Sequence, residues 1–237
     1  MLKYYDGTVF NSNAKTIVNT VNCFGVMGAG IALEFKLRYP EMFLNYEELC
    51  KSGEYKVGRP KLSKLDDIEI LNFPTKNHWR APSKLEWIEE GLKYFSQYYK
   101  KANIKSIAFP KLGTSNGGLK WEIVKLLMEK YLGNLDDIEI IICLDNLREA
   151  EGVEKQMVND INSLPFEQLI KEFKLSKKQS QVIENALPIN RFWKIAALEG
   201  VGEKTYEKLF THFYNKYNTE KVNKQEVITI HEQLNLF

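Results

Sequence analysis

The stretch IVNTVNCFGVMGAGIALEF, residues 17–35, decides the fold. An apolar run stops at Asn22, crosses a loop that holds Gly25, Gly28 and Gly30, and resumes with helical spacing. Glycine removes the Cβ and tolerates positive φ, so such a loop brings bare backbone N–H groups against an oxyanion at a helix start. The arrangement returns in FPKLGTSNGGLKW, residues 109–121, where Gly113-Thr114-Ser115-Asn116-Gly117-Gly118 again separates an apolar run from a helical pattern. Two such loops in one domain imply a ligand with several phosphate or ribose oxygens. A turn kept only for packing would need neither the polar Asn22 nor the hydroxyls of Thr114 and Ser115 beside a glycine pair.

Outward from these loops, strand-like and helix-like segments alternate. Leu2–Tyr5 and Thr16–Val21 read as strands, Gly28–Arg38 and Pro40–Ser52 as helices. Lys61–Leu65 and Ile68–Phe73 read as a hairpin around Asp66-Asp67. Ser83–Lys101 is the clearest helix. Ser83 is placed to cap it with Glu86 three residues on, and Leu85, Ile88, Leu92, Phe95 and Tyr99 share a face. Strand Ile104–Phe109, a helix from Lys120 to Leu132 and strand Ile138–Leu144 follow. The alternation predicts an α/β sheet with helices on both faces. Ligands of such sheets sit at the carboxyl ends of the strands, where both loops fall.

The pattern changes after Asn146. Arg148–Val158 is charged and reads as a connecting helix or linker, and Phe166–Phe173 and Lys177–Leu187 are amphipathic helices. No internal repeat is visible. The chain therefore divides into an α/β domain, 1–147, and a small all-α domain, 148–237. Its net charge of +2 excludes an electrostatic argument for nucleic acid, and residues 151–237 carry 12 charges of each sign. Cys23, Cys50 and Cys143 are odd in number and in no metal-ligand pattern, which reads as small buried thiols. With no leader-like or membrane-spanning stretch, a reducing, cytoplasmic setting is expected. No His, Cys or Asp cluster has ligand spacing, so neither a metal nor a cofactor is implied.

Between the loops lies Asn72-Phe73-Pro74-Thr75-Lys76-Asn77-His78-Trp79-Arg80. Lys76 is a candidate nucleophile, because a lysine amine condenses with an aldehyde carbon once its ammonium form is disfavoured. His78 and Arg80 are candidates for proton handling and phosphate contact. The plainer alternative makes Lys76 a solvated loop lysine and Trp79 a plug at the sheet edge. In the second domain, Leu198–Leu209 (LEGVGEKTYEKL) has the spacing of a helix-hairpin-helix, whose hairpin amides, here at Gly200 and Gly202 with Lys204 beside them, contact a DNA phosphate without reading bases. A glycine turn that merely packs two helices has the same spacing, and Glu199 and Glu203 would repel phosphate.

The two loops and the lysine between them resemble a macrodomain, the three-layer α/β/α mixed-sheet fold that binds ADP-ribose. The resemblance is to its lysine-dependent subgroup, which contains terminal ADP-ribose protein glycohydrolases and the DarG-type antitoxins that remove ADP-ribose from DNA. It rests on VNTVNCFGVMGAGIALEFK, the following YP and SGE, NFPTKNHWR with SKLEWIEEGL, and PKLGTSNGGLKW, spread through residues 1–145. NFPTKNHWR favours the DNA-acting branch. The resemblance implies Lys76 as covalent nucleophile and no metal. It implies ADP-ribose contacts at Gly7, Thr8, Asn19, Asn22, Val26, Met27, Gly28, Ala29, Gly30, Ile31, Thr75 and the second loop, Leu112, Gly113, Thr114, Ser115, Asn116, Gly117 and Gly118. Two departures stand out: Thr8 replaces the acidic residue that many macrodomains use toward adenine, and Gly117 replaces an Asp of the protein-acting enzyme. The implied function is hydrolysis of ADP-ribose from modified DNA, a repair reaction, with an ADP-ribosyltransferase toxin as partner. A non-catalytic ADP-ribose reader and a protein glycohydrolase are the alternatives.

Overall fold

The computed structural model describes residues 1–234, with side chains as far as residue 218. The chain forms two compact units, Met1–Leu147 and Arg148–Phe237. In the first, six strands, β1 (Leu2–Tyr5), β2 (Thr16–Asn22), β3 (Lys61–Lys64), β4 (Glu69–Lys76), β5 (Ser106–Phe109) and β6 (Glu139–Cys143), form one sheet in the order β1-β6-β5-β2-β4-β3. All neighbours are parallel except β3, which pairs antiparallel with β4. Helices α1 (Gly30–Arg38), α2 (Pro40–Lys51), α3 (Leu85–Tyr98) and α4 (Trp121–Leu132) complete the unit.

Side-chain alternation along the strands makes three layers of this. Val18, Leu71, Phe73, Ile107, Phe109, Ile140 and Ile142 pack against α3 and α4, while Ile17, Val21, Ile70, Ala108, Ile141 and Cys143 pack with α1 and α2. Buried on both faces, β5 and β6 are apolar through Ile107–Phe109 and Ile140–Cys143, as parallel strands tend to be, whereas β2 and β4 also bury Asn19 and Asn72. Among the described residues no helix is long and apolar enough to cross a membrane.

The expected elements appear with boundaries moved by a few residues. One local expectation fails. Ser83 does not cap α3: Lys84 holds that position, without a side-chain bond to the helix. The Ser83 N–H instead donates to the Gly117 carbonyl at 2.9 Å, and the side chain is buried under the second loop with its hydroxyl unpartnered. Tertiary contact has overridden a local capping signal.

The second unit contains helices and, among the described residues, no strand: α5 (Gly152–Ser163), α6 (Phe166–Phe173), α7 (Lys177–Ala186), a 3₁₀ turn (Phe192–Ala197) and α8 (Glu203–Leu234). The stretch expected as a connecting helix or linker is largely α5, and it is packed rather than solvated. Its Glu154 is buried and receives the Arg191 Nε at 3.1 Å and the Phe192 N–H at 2.9 Å. Arg191→Met is expected to destabilise the chain by about 3–5 kcal/mol, since it strands a buried carboxylate, whereas Arg191→Met with Glu154→Leu should recover most of the loss. Urea unfolding of both variants checks this. A loss no larger than that of a surface substitution would contradict it.

A repeat that the residue identities conceal also emerges. Between α6 and α7 the chain turns through Lys174 in the left-handed region (φ +48°), buried Leu175 and Ser176. Between the 3₁₀ turn and α8 it turns through Gly200 (φ +89°), buried Val201 and Gly202. The offset is 26 residues, and it also superposes buried Leu169 on Ile195 and Ile183 on Leu209. Gln179 and Thr205, equivalent by the same offset, are joined by a 3.0 Å bond from Gln179 Nε2 to Thr205 Oγ1.

Candidate active site

The site forms where the carboxyl ends of β2, β4 and β5 meet the two glycine loops. Its decisive local feature is a bulge: Val21 pairs with Pro74, but Asn22 pairs with Lys76, so Thr75 is the extra residue on β4. Pro74 has no N–H to give the ladder, and the bulge absorbs that defect while re-aiming the strand end. Thr75 is buried, its Oγ1 donating to the Val21 carbonyl at 3.4 Å. The ladder then continues irregularly, the Cys23 N–H reaching the Lys76 and Asn77 carbonyls at 3.0 and 3.2 Å. Lys76 is thereby fastened to the root of the first loop.

That loop is braced from within. Asn22 Oδ1 accepts from the Phe24 and Val26 N–H groups at 2.9 and 3.4 Å, and its Nδ2 donates to the Val26 carbonyl at 2.6 Å. Tyr46 of α2 donates to the Asn22 carbonyl at 2.8 Å. Asn19 is committed on one side alone: its Nδ2 donates to Asn72 Oδ1 at 2.9 Å, while its buried Oδ1 has no partner among the described residues. With Met27 and Leu112, which are buried, these residues form the floor. The outer positions Gly28, Ala29, Gly30 and Ile31 are half-buried or exposed. Helix α1 begins at Gly30 with no side-chain cap, so its first-turn amides lack intrahelical acceptors and present a place for an anion.

The second loop closes on itself. Gly118 N–H reaches the Thr114 carbonyl at 3.1 Å, Leu119 N–H the Gly113 carbonyl at 3.0 Å, and Thr114 Oγ1 the Lys111 carbonyl at 3.0 Å. A Cβ at Gly117 would lie 2.2 Å from the Gly113 carbonyl oxygen and 2.4 Å from Ser83 Oγ, so no side chain, acidic or otherwise, fits there. The loops meet across the cleft: a Cβ at Gly30 would lie 2.7 Å from Asn116 Nδ2. Gly7 and Thr8 follow β1 near the same end of the sheet, the Gly7 carbonyl accepting from the Asp145 N–H just past β6.

Lys76 sits under this junction. Its Nζ donates to the carbonyls of Asn116 and, at 3.5 Å, Trp79. Both acceptors are neutral, and partial burial without a carboxylate partner lowers the Lys76 pKa from the ordinary lysine value. The neutral, nucleophilic form is therefore reached at lower pH than for a solvated lysine. The nearest thiol does not compete, since burial pushes Cys23 up to about 12. Among the described residues no three His, Cys, Asp or Glu side chains are placed to hold a metal ion. A cavity of about 700 Å³ beside β3, lined by Met42, Tyr55, Leu62, Leu71, Tyr94 and Tyr98, shares no residue with the cleft.

The structure thus gathers Lys76, both loops and the Gly7–Thr8 turn at one end of one sheet. Trp79 does not plug the sheet edge: it is exposed and stacked on His78. Gly200, Gly202 and Lys204 belong to the second unit and are exposed. Sequence reasoning gave Phe24 no part in the site, although an aromatic inside a glycine loop is itself a signal. It also missed Ser83, whose role depends on a contact 34 residues away in the chain.

Comparison with known proteins supplies the context. The family description Macro domain matches residues 18–128. The chain is 44% identical over 160 residues to a DNA ADP-ribosyl glycohydrolase of Mycobacterium tuberculosis, covering 65% of this chain and 46% of that protein. It therefore spans less than half the length of that relative. The macrodomain of Mycobacterium tuberculosis DarG superposes with a TM-score of 0.58 at 46% identity, covering 60% of this chain and 97% of the other. Thermosipho africanus DarTG in complex with ADP-ribose gives a TM-score of 0.58 at 36% identity, covering 63% of this chain and 43% of that one.

Proposed function

The chain belongs to the macrodomain family, and from that premise we propose that it is an ADP-ribosyl glycohydrolase acting on ADP-ribosylated DNA. One observation carries the reading beyond binding: an amine with no counter-charge, Lys76, is held by two neutral carbonyls directly beneath two amide-lined loops. A non-catalytic reader has no use for a deprotonation-prone lysine there. The relatives named DNA ADP-ribosyl glycohydrolase and the ADP-ribose complex of a related protein support the same substrate.

In this mechanism the ADP-ribose diphosphate lies along the first-turn amides of α1 and the second loop, with the distal ribose over Lys76. The Lys76 nitrogen attacks the anomeric carbon, either in the closed ring or as the ring-opened imine of the base. In both routes the carbon–base bond breaks, and its electron pair leaves with the base, which takes up a proton; the second route leaves a lysine imine. Water then displaces the lysine and releases ADP-ribose. The loops position the sugar and stabilise developing charge. Because Gly117 cannot carry the carboxylate of the protein-acting enzyme, acidic protein side chains are the poorer substrate. The test is release of ADP-ribose from a modified oligonucleotide set against a modified glutamate peptide. Activity on the peptide alone would select the protein glycohydrolase.

For residues 148–237 the proposal is a helix-hairpin-helix-like domain that contacts the DNA backbone, in a cytoplasmic antitoxin whose partner is an ADP-ribosyltransferase toxin. The twofold repetition of the hairpin at Lys174–Ser176 and Gly200–Gly202 favours DNA, since two hairpins present two sets of backbone amides. Removing residues 148–237 is expected to raise KM for modified oligonucleotide roughly tenfold, with salt-sensitive binding, while leaving hydrolysis of bound substrate nearly unchanged. An unchanged KM with loss of transferase capture would assign the unit to toxin docking instead.

A further inference from the structure

The mouth of the cleft carries an aromatic ladder that neither the loops nor the nucleophile require. Phe24 projects from the first loop and is 58% exposed. Its ring lies 4.5 Å from that of His78, tilted by 60°, and His78 in turn stacks on Trp79 at 5.7 Å with an interplanar angle of 23°. Trp79 is 41% exposed, and the Arg80 guanidinium lies 4.4 Å from its ring centroid. Single exposed aromatics are ordinary, but four contiguous planar groups drawn from two separate segments are not. The ladder is held in shape: His78 Nδ1 accepts from the Arg80 N–H at 3.2 Å, and the Cys23 N–H bonds bind the Phe24 segment to residues 76 and 77.

Its position relative to the chemistry fixes what it meets. The Trp79 carbonyl is 3.5 Å from Lys76 Nζ. A reacting carbon must approach that nitrogen to roughly 3–3.5 Å, and the leaving base is one covalent bond beyond it. With the Trp79 backbone at that nitrogen, the base and its nearest neighbours in the strand leave the cleft past the segment that carries the ladder. Aromatic faces and an arginine plane stack on bases of any identity, and a base is free to use them only when it is not already stacked and paired within a duplex.

Resting on the reading of the cleft as a DNA ADP-ribosyl glycohydrolase, we propose that Phe24, His78, Trp79 and Arg80 form a stacking subsite for unpaired bases at the modified nucleotide. The experiment uses the full chain with Trp79→Ala, Phe24→Ala and Trp79→Phe. Its substrate is a base-ADP-ribosylated oligonucleotide, free or annealed to its complement.

Each alanine variant is expected to raise KM for the single strand by about tenfold to a hundredfold, with Trp79→Phe restoring most of the loss. ADP-ribose affinity by calorimetry should stay within about twofold. The annealed substrate should be turned over at least about tenfold less efficiently by the unaltered chain. Unchanged KM in both alanine variants, or equal turnover of single strand and duplex, would overturn the subsite. A fall in ADP-ribose affinity matching the rise in KM would do the same, placing the ladder within the ADP-ribose site. Anisotropy of a fluorescent unmodified oligonucleotide separates this from failure of the catalytic reading. The ladder predicts weaker binding in the alanine variants whether or not the unaltered chain hydrolyses anything.

Discussion

Lys76→Ala is expected to lower turnover of ADP-ribosylated oligonucleotide by roughly 10³- to 10⁶-fold while changing ADP-ribose affinity by no more than about tenfold. The asymmetry follows from the geometry. Among the described residues the amine is bonded to the carbonyls of Asn116 and Trp79, so its removal leaves the backbone amides of both loops in place for the proposed diphosphate contact. What disappears, on the proposed mechanism, is the group that forms a bond in the transition state. The pH dependence has a definite sign. Partial burial lowers the Lys76 pKa below its ordinary value of 10.5, so the neutral amine is already more abundant near neutrality than for a solvated lysine. Activity should rise with pH on the acid limb and level off before pH 10.5 is reached. Borohydride added during turnover should trap an adduct on Lys76 if the ring-opened route is followed, since it reduces the lysine imine to a stable amine. A Lys76→Ala protein that keeps its activity would remove the covalent mechanism and leave the ADP-ribose reader.

Gly30→Glu should reduce ADP-ribose affinity by at least about a hundredfold, for three reasons that act at one residue. Gly30 has φ +58°, a conformation that costs an L-residue about 1–2 kcal/mol. A Cβ there would lie 2.7 Å from Asn116 Nδ2, which must move. The new carboxylate would also sit among the uncapped amides of α1, occupying the place that a diphosphate oxygen needs. Gly30→Ala keeps the strain and the crowding but not the charge, so it should lose far less. Calorimetry on both variants, with thermal unfolding to confirm that each is folded, separates the causes. Wild-type affinity in Gly30→Glu would mean that the diphosphate does not lie at the start of α1.

The second unit shows why some of the molecule was hidden from sequence reading. Its repeat is one of backbone geometry and burial: Lys174 stands where Gly200 does, and Ser176 where Gly202 does. A search for similar residues finds nothing, because a left-handed turn followed by a buried aliphatic residue can be made in more than one way. The buried Glu154–Arg191 pair was missed for a related reason. Charge along a helix reads as solvation unless a partner 37 residues away is known.

In the first unit, residue order alone determined the alternation of strands and helices, the position of both loops and the candidacy of Lys76. These are local properties: strand alternation, helical spacing and the tolerance of glycine for positive φ all act within about a dozen residues. Only the tertiary structure decided how they meet. The bulge at Thr75 depends on pairing β4 with β2, and the hold on the Lys76 amine depends on a loop 40 residues away. Asn22 is a brace because Tyr46 and the Val26 backbone claim its amide and carbonyl, and Ser83 is drawn off its helix by Gly117. The ladder exists because the first loop sets Phe24 against His78. Burial, desolvation and ring contact are set by which distant segments share a sheet edge, and no local pattern encodes that.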